Sequence, residues 1–311
     1  MIDARDERPH EHGGRAGWSE RLSFAFFDPS NGFGGIARVD HRPVEKRADG
    51  TISIFMPEGA IATVFAKEQI ADSGGSSVAR IHLDPYEALT KWRIRCKDIA
   101  LVFPNATASG LPKTGERHGA ASPIDMELTF ETWMPPAGSV DRETSVDPLN
   151  YVRTTSTGHF EQAGRYHGKI RVGGRQTSFE GTGVRDKTWG PVDQTAHHSA
   201  QWFAVGFGPT LAFGARAMSF GMKGLHSGWV LREGEVRALS SCRVESEFEG
   251  RAFRTANLKL VDDAGDAYEI TAESQFALPM REGKARIHQA MTRFRIGDRE
   301  ALGLAEYVEN G

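Results

Sequence analysis

The chain has 311 residues, 39% of them hydrophobic, enough for about two domains of ordinary size with their own cores. Its 38 basic and 41 acidic residues are mixed along the sequence to a formal charge of −3, and the lack of a long basic run to follow a phosphate backbone excludes nucleic acid as a partner. The two cysteines, Cys96 and Cys242, exclude a disulfide framework and leave open one bridge between the halves, and no apolar run reaches the roughly 18 residues of a membrane-spanning helix.

Residues 1–17 are dense in charge and are expected to be mobile. His10-Glu11-His12 has the look of a metal-binding patch, but it lies in this charged segment, and no metal is expected. The segment also lacks the apolar centre of a signal peptide, so a cytoplasmic location is expected.

From there on, strand patterns dominate. Ala48-Asp49-Gly50 suits a tight turn, and Ile52, Ile54 and Met56 alternate behind it. Residues 71–77 read as a loop by composition, while the proline of Asp84-Pro85-Tyr86-Glu87 either starts a short helix or marks a connection. From Ile124 to Glu131 every even position is apolar and every odd one polar, the period of a strand with one buried face. Ile170 with Val172, Leu258 with Leu260, and Leu302 with Leu304 repeat the pattern, separated by turn signals at Gly173-Gly174, Asp262–Asp266 and Gly297-Asp298. The 35 glycines and the absence of long stretches with helical spacing argue against a helical protein or a doubly wound nucleotide-binding sheet.

The same order of motifs occurs twice. Gln162-Ala163, Arg171-Val172-Gly173 and Gly183 are matched by Gln289-Ala290, Arg295-Ile296-Gly297 and Gly303, with a shrinking offset that implies shorter turns in the second copy. Residues 32–38 (GFGGIAR) are answered by 212–218 (AFGARAM), and 126–135 by 268–280. Each half is therefore expected to build its own closed antiparallel sheet, because closure removes exposed edges, with domains at 18–195 and 196–311.

The densest polar and aromatic run is Gly181–Asp193, followed by His197-His198 and Trp202. Here an Arg185-Asp186 pair beside Trp189, between glycines that let the backbone bend, can present a charge-supported carboxylate at a barrel mouth, or act as a structural ion pair locking the junction of the halves. Trp189 reads equally as a plug between the domains. His197 and His198 are adjacent and point to opposite faces of an extended chain, so one of them can reach a pocket. With Gly303 set against Gly183, Glu306 falls opposite Asp186 with Tyr307 beside it, while Ala305 replaces the arginine. Arg38 and Arg216 hold corresponding places in the two halves and are read as structural. Nucleophile-elbow, phosphate-loop, dinucleotide and paired-cysteine motifs do not occur.

The run Gly-x-Gly-x-Arg-Asp-x-x-Trp-Gly-Pro, preceded by His159-Phe160-Glu161-Gln162 and followed by His197 and then Trp202-Phe203, resembles the lipocalin-like tandem-barrel family related to hydroxyneurosporene synthase (carotenoid 1,2-hydratase). Its wider relatives include kievitone hydratase-like proteins and fungal lipocalin-like Diels–Alderases. The resemblance implies an all-β chain of two lipocalin-like antiparallel barrels with few short helices, no organic cofactor, and a hydrophobic isoprenoid, steroid-like or polycyclic ligand within or between the barrels. Asp186 matches the acidic residue of the family's run, and His159, Glu161, His197 and Trp202 fall in family-like segments; together with the residue reading above this gives Asp186, Arg185 and His197 as catalytic candidates, and Trp189, Trp202, His159, Glu161, His198, Glu306 and Tyr307 as substrate-binding candidates. The implied activity is a hydratase, lyase, isomerase or cyclase working by acid–base chemistry; the alternative is a carrier of the same class of molecule.

Overall fold

Period-two patterning builds nearly every element, and the computed structural model describes residues 2–72, 75–104, 119–140, 157–191, 199–220, 223–250, 252–282 and 285–309. In the first half, β1 (Trp18–Asp28), β2 (Phe33–Arg42), β3 (Arg47–Phe55), β4 (Ile61–Gln69), β5 (Ser77–Val78), β6 (Ile81–Glu87), β7 (Lys91–Phe103), β8 (Ala120–Thr132), β9 (Ala137–Val140), β10 (Gly158–Val172) and β11 (Arg175–Pro191) form one antiparallel sheet. Pairing of Ile61 with Phe103 and of Thr63 with Leu101 joins β4 to β7, so the path β4-β3-β2-β1-β11-β10-β8-β7 closes on itself. In the second half, β12 (Ser199–Gly206), β13 (Leu211–Phe220), β14 (Lys223–Arg232), β15 (Glu235–Glu249), β16 (Ala252–Asp262), β17 (Ala267–Glu282), β18 (Ala285–Ile296) and β19 (Arg299–Glu309) form a closed barrel in sequence order.

The ring strands of the first half take the places of β12 to β19 one for one, with β5, β6 and β9 as additions. Every sequence match falls on equivalent strands: β2 with β13, β8 with β17, and the hairpin β10–β11 with β18–β19. Phe24, Phe26, Ile52, Trp92, Leu128 and Phe130 fill the first interior, and Phe203, Phe213, Phe253, Leu258 and Phe294 fill the second. A third cluster joins Phe27, Ile36 and Val184 to Trp202, Trp229 and Leu304, so the barrels pack outer wall against outer wall. Cys96 lies in the first interior and Cys242 in the second; both are free, and burial pushes each thiol up to about 12.

Some local expectations are corrected. Ala48-Asp49-Gly50 lies inside β3, and the chain reverses at Pro43–Lys46 instead, with Lys46 at φ 51°. Gly50 serves close packing, since a Cβ there would come within 3.1 Å of Ile81 and 3.2 Å of Val78. Asp84–Glu87 ends β6 with an irregularity after Pro85, and the short helices among the described residues are the 3-10 turns Ala4–Glu7 and Pro57–Gly59. The segment ahead of β1 contacts the first barrel, where Glu7 is buried against Arg185 and the His10 amide donates to Glu20. No helix among the described residues is long and apolar enough to cross a membrane.

Gly183, read as a bending point, is needed for close approach: a Cβ there would sit 1.9 Å from the Ala25 carbonyl oxygen on β1. Gly183→Ala should therefore lower stability by about 1–3 kcal/mol, read as a drop in the urea midpoint at unchanged slope.

Candidate functional site

Alternation along β11 divides the polar run between two places. Arg185, Lys187 and Trp189 face the mouth of the first barrel, whereas Asp186 and Thr188 face the second barrel. The expected Arg185–Asp186 ion pair is accordingly not formed. Arg185 is fully buried and pairs with Glu7 at 2.6 Å, its Nε donating to Gln162 Oε1 at 2.8 Å. Trp189 stacks on the His10 ring at 4.1 Å and meets the edge of Phe160, so it seals the first barrel and does not lie between the two. That stack, with a 2.7 Å hydrogen bond from the His10 amide to Glu20, gives His10 of the His10-Glu11-His12 run a packing role.

Between the barrels, β10 and β11 pair with Glu161 opposite Asp186 and His159 opposite Thr188, which brings all four side chains to one face. His159 is fully buried; its Nδ1 lies 2.9 Å from Thr188 Oγ1 and 3.1 Å from Asp186 Oδ2, and its Nε2 lies 3.2 Å from Glu161 Oε1. Arg216, from β13 of the second barrel, donates through Nε to Glu161 at 2.8 Å and through a terminal nitrogen to Asp186 at 3.0 Å. The Trp229 indole donates to the other Glu161 oxygen at 2.8 Å. Burial pushes the Glu161 carboxyl up, but the Arg216 charge, His159 and Trp229 outweigh it and hold the group at about 2.

A second network mirrors the first. Arg38 on β2 donates to Glu306 on β19 at 2.8 Å, and Gln289 donates to the same oxygen at 2.6 Å. Glu306 is held below its ordinary value: burial raises it, and the Arg38 charge with the Gln289 hydrogen bond more than offsets that. Because β2 is equivalent to β13 and β11 to β19, each barrel sends its arginine to the other barrel's carboxylate. The two arginines read as structural from sequence thus stand at the centre of the interface.

The networks enclose a chamber of about 60 Å³ lined by Arg38, Asp186, Thr188, Trp202, Arg216 and Glu306, large enough for about two waters. Through Arg21 and Arg38 it adjoins a cleft of about 530 Å³ with an apolar wall that includes Ile36, Leu278 and Met280 and a charged one that includes Asp40, Arg42 and Arg47. That volume suits a small-molecule pocket. Trp202 lines the chamber with the Arg216 guanidinium 4.6 Å above its ring. Tyr307 packs edge-on against Phe248, with centroids 4.4 Å apart, in the cluster that fills the second barrel, and burial pushes its phenol up to about 12. His197 and His198 lie outside the described residues.

With this geometry established, comparison with known proteins places the chain. The family model described as "Domain of unknown function (DUF7064)" matches residues 3–311. The chain belongs to that family. No curated protein matches it. Among solved structures it is similar to an AttH candidate from Nitrosomonas europaea (TM-score 0.62, 10% identity, 99% of this chain and 96% of that one). Kievitone hydratase from Nectria haematococca is also similar (TM-score 0.62, 10% identity, 100% and 93%), as is CghA (TM-score 0.54, 10% identity, 94% and 88%). At that identity the likeness is one of fold, and at that level it agrees with the tandem-barrel family that the Gly181–Pro191 run resembles.

In this DUF7064 protein, ligand atoms of His159, Glu161 and Asp186 lie within 4.8 Å of one another, a donor set of the kind that holds a divalent metal. Arg216 already bonds both carboxylates, so its guanidinium stands where such a cation would sit, and the residues fit a metal poorly. Sequence reasoning missed Thr188, Trp229 and Gln289 and gave Arg38 and Arg216 no chemical role. The readable signal was the pairing of corresponding arginines with corresponding carboxylates across the repeat.

Proposed function

We propose that the protein is a cofactor-independent hydratase or lyase, or an isomerase or cyclase, that holds a hydrophobic isoprenoid, steroid-like or polycyclic substrate in the cleft between its barrels. The observation that carries this reading is the chamber lined by Asp186, backed by His159, beside a cleft of small-molecule size with apolar and charged walls. The fold shared with kievitone hydratase, and with CghA, which has also been solved with Sch210972, supports small-molecule chemistry.

In this reading the cleft binds the apolar body of the substrate and its reacting end enters the chamber. Asp186 exchanges the proton with the substrate carbon or with a water there, and His159, buried behind it, holds it in place. Glu161, held ionised by Arg216, orients His159 in the way a buried carboxylate orients a catalytic imidazole, and Arg38 with Glu306 closes the opposite wall. Trp202 shapes the chamber; a developing cation would compete with Arg216 for its ring.

One observation favours a carrier instead: the carboxylates lining the chamber are paired with arginines, as in a fixed network. The two are separated by incubating purified protein with a panel of isoprenoids in heavy-oxygen water. The enzyme reading expects a new product, carrying the label if the reaction adds water and unlabelled if it is a dehydration, isomerisation or cyclisation, and in either case a loss of at least about 100-fold in Asp186→Asn with the fold retained. Binding of ligands without turnover would establish the carrier, and full activity in the variant would remove Asp186 from the mechanism.

A further inference from the structure

The other face of β11 carries a second arrangement, which the interdomain site does not use. Arg185 lies inside the mouth of the first barrel with its guanidinium 5.2 Å from the Trp92 ring centroid and 5.0 Å from that of Phe160. A fully buried guanidinium needs a carboxylate, and its ion pair among the described residues is to Glu7, a residue 178 positions away on the N-terminal segment. Lys187, also buried, points its ammonium at two main-chain carbonyls of the same segment, Asp6 at 2.7 Å and Arg8 at 2.9 Å. Glu20 stands farther off at 3.7 Å. Residues 6–8 therefore act on the barrel as a bound ligand does, offering one carboxylate and two carbonyls to two buried cations.

Beside this contact lies a cavity of about 410 Å³. Ala4 and Pro9 of the segment and Leu22, Val39 and Trp92 of the barrel supply its apolar surface, while Glu7, Arg8, Glu20 and Lys187 make its polar end. The volume lies within the range of small-molecule pockets, and the fork of an arginine matches a carboxylate better than any other common anion except phosphate.

We infer that the mouth of the first barrel is a binding site for an apolar carboxylic acid, whose carboxylate takes the place of Glu7 on Arg185 and whose tail occupies the adjoining cavity. The N-terminal segment is then an internal competitor for the site. The inference goes beyond the interdomain chemistry: isotope incorporation tests one, and ligand competition tests the other.

The test uses decanoate and decanol as probes, the full chain, and the variant Glu7→Gln, which removes the competing charge and keeps a hydrogen-bonding side chain. Calorimetric titration should show decanoate binding Glu7→Gln at least about tenfold more tightly than wild type, because the segment no longer occupies the site, with no such gain for decanol. In wild type, saturating decanoate should also speed tryptic cleavage after Arg5 as the segment is released, and decanol should not. The cleavage experiment holds even if the variant folds poorly. Equal decanoate affinity in the two proteins, no decanoate binding, a matching gain for decanol, or cleavage indifferent to decanoate would each overturn the inference.

Discussion

Glu7→Ala is expected to cost about 3–5 kcal/mol of folding stability, several times the usual effect of a change near a chain terminus. The reason is an asymmetry in how the two partners are anchored. Arg185 is fixed in the middle of β11 with no exposed surface, so without Glu7 its charge stays buried with Gln162 as its remaining hydrogen-bonding side chain. Glu7 belongs to a short segment that can carry its carboxylate into water, so Arg185→Met should cost less. The double variant should be more stable than Glu7→Ala alone, because it removes the trapped charge. Urea unfolding near neutral pH measures all three. Equal losses for the two single variants, with simple additivity in the double, would contradict this account of the first barrel's mouth.

The second large effect belongs to Arg216, which bonds Glu161 and Asp186 across the interface. Arg216→Ala leaves two buried carboxylates without their cation and should cost about 3–5 kcal/mol near neutral pH. Its pH dependence carries a definite sign. The Glu161 carboxyl is depressed from 4.5 to about 2 in the folded protein, so its contribution is fully present above the unfolded value and is lost as pH falls from 4.5 toward 2. The depression corresponds to about 3 kcal/mol. Wild type should therefore lose stability steeply in that window, whereas in Glu161→Gln the fall should be shallower by about that amount. In Arg216→Ala the penalty should shrink on acidification, because protonation relieves the unpaired carboxylates. Parallel curves of urea midpoint against pH for wild type and Glu161→Gln would remove Glu161 from the network.

Much of the architecture was legible because a closed antiparallel barrel writes itself into sequence as short alternating segments, as at Ile124–Glu131, and because the halves retain matching strands. The turn assigned to Ala48-Asp49-Gly50 failed because glycine serves tight packing as often as reversal, and here Val78 and Ile81 press on it. The site was legible only in part. Asp186, His159, Glu161, Trp202 and Glu306 do gather between the barrels, but Arg185 and Trp189, neighbours of Asp186 in sequence, turn to the opposite side. Period-two geometry forbids residues i and i+1 of a strand from sharing a site, and applying it to β11 would have separated them. The partners of Arg185 and Asp186 could not be read at all, because Glu7 and Arg216 are brought in from distant parts of the chain by tertiary packing.

The central claim is that a hydrophobic ligand reacts between the barrels against Asp186. It is tested most directly by a crystal structure of the protein with a substrate or product identified from the isoprenoid panel. The account predicts the apolar body of that molecule between Ile36, Leu278 and Met280, with its reacting carbon in the chamber beside Asp186 and Trp202. A turned-over molecule seated wholly inside either barrel, with the Arg38–Glu306 and Arg216–Asp186 pairs undisturbed and no atom of it in the chamber, would contradict it.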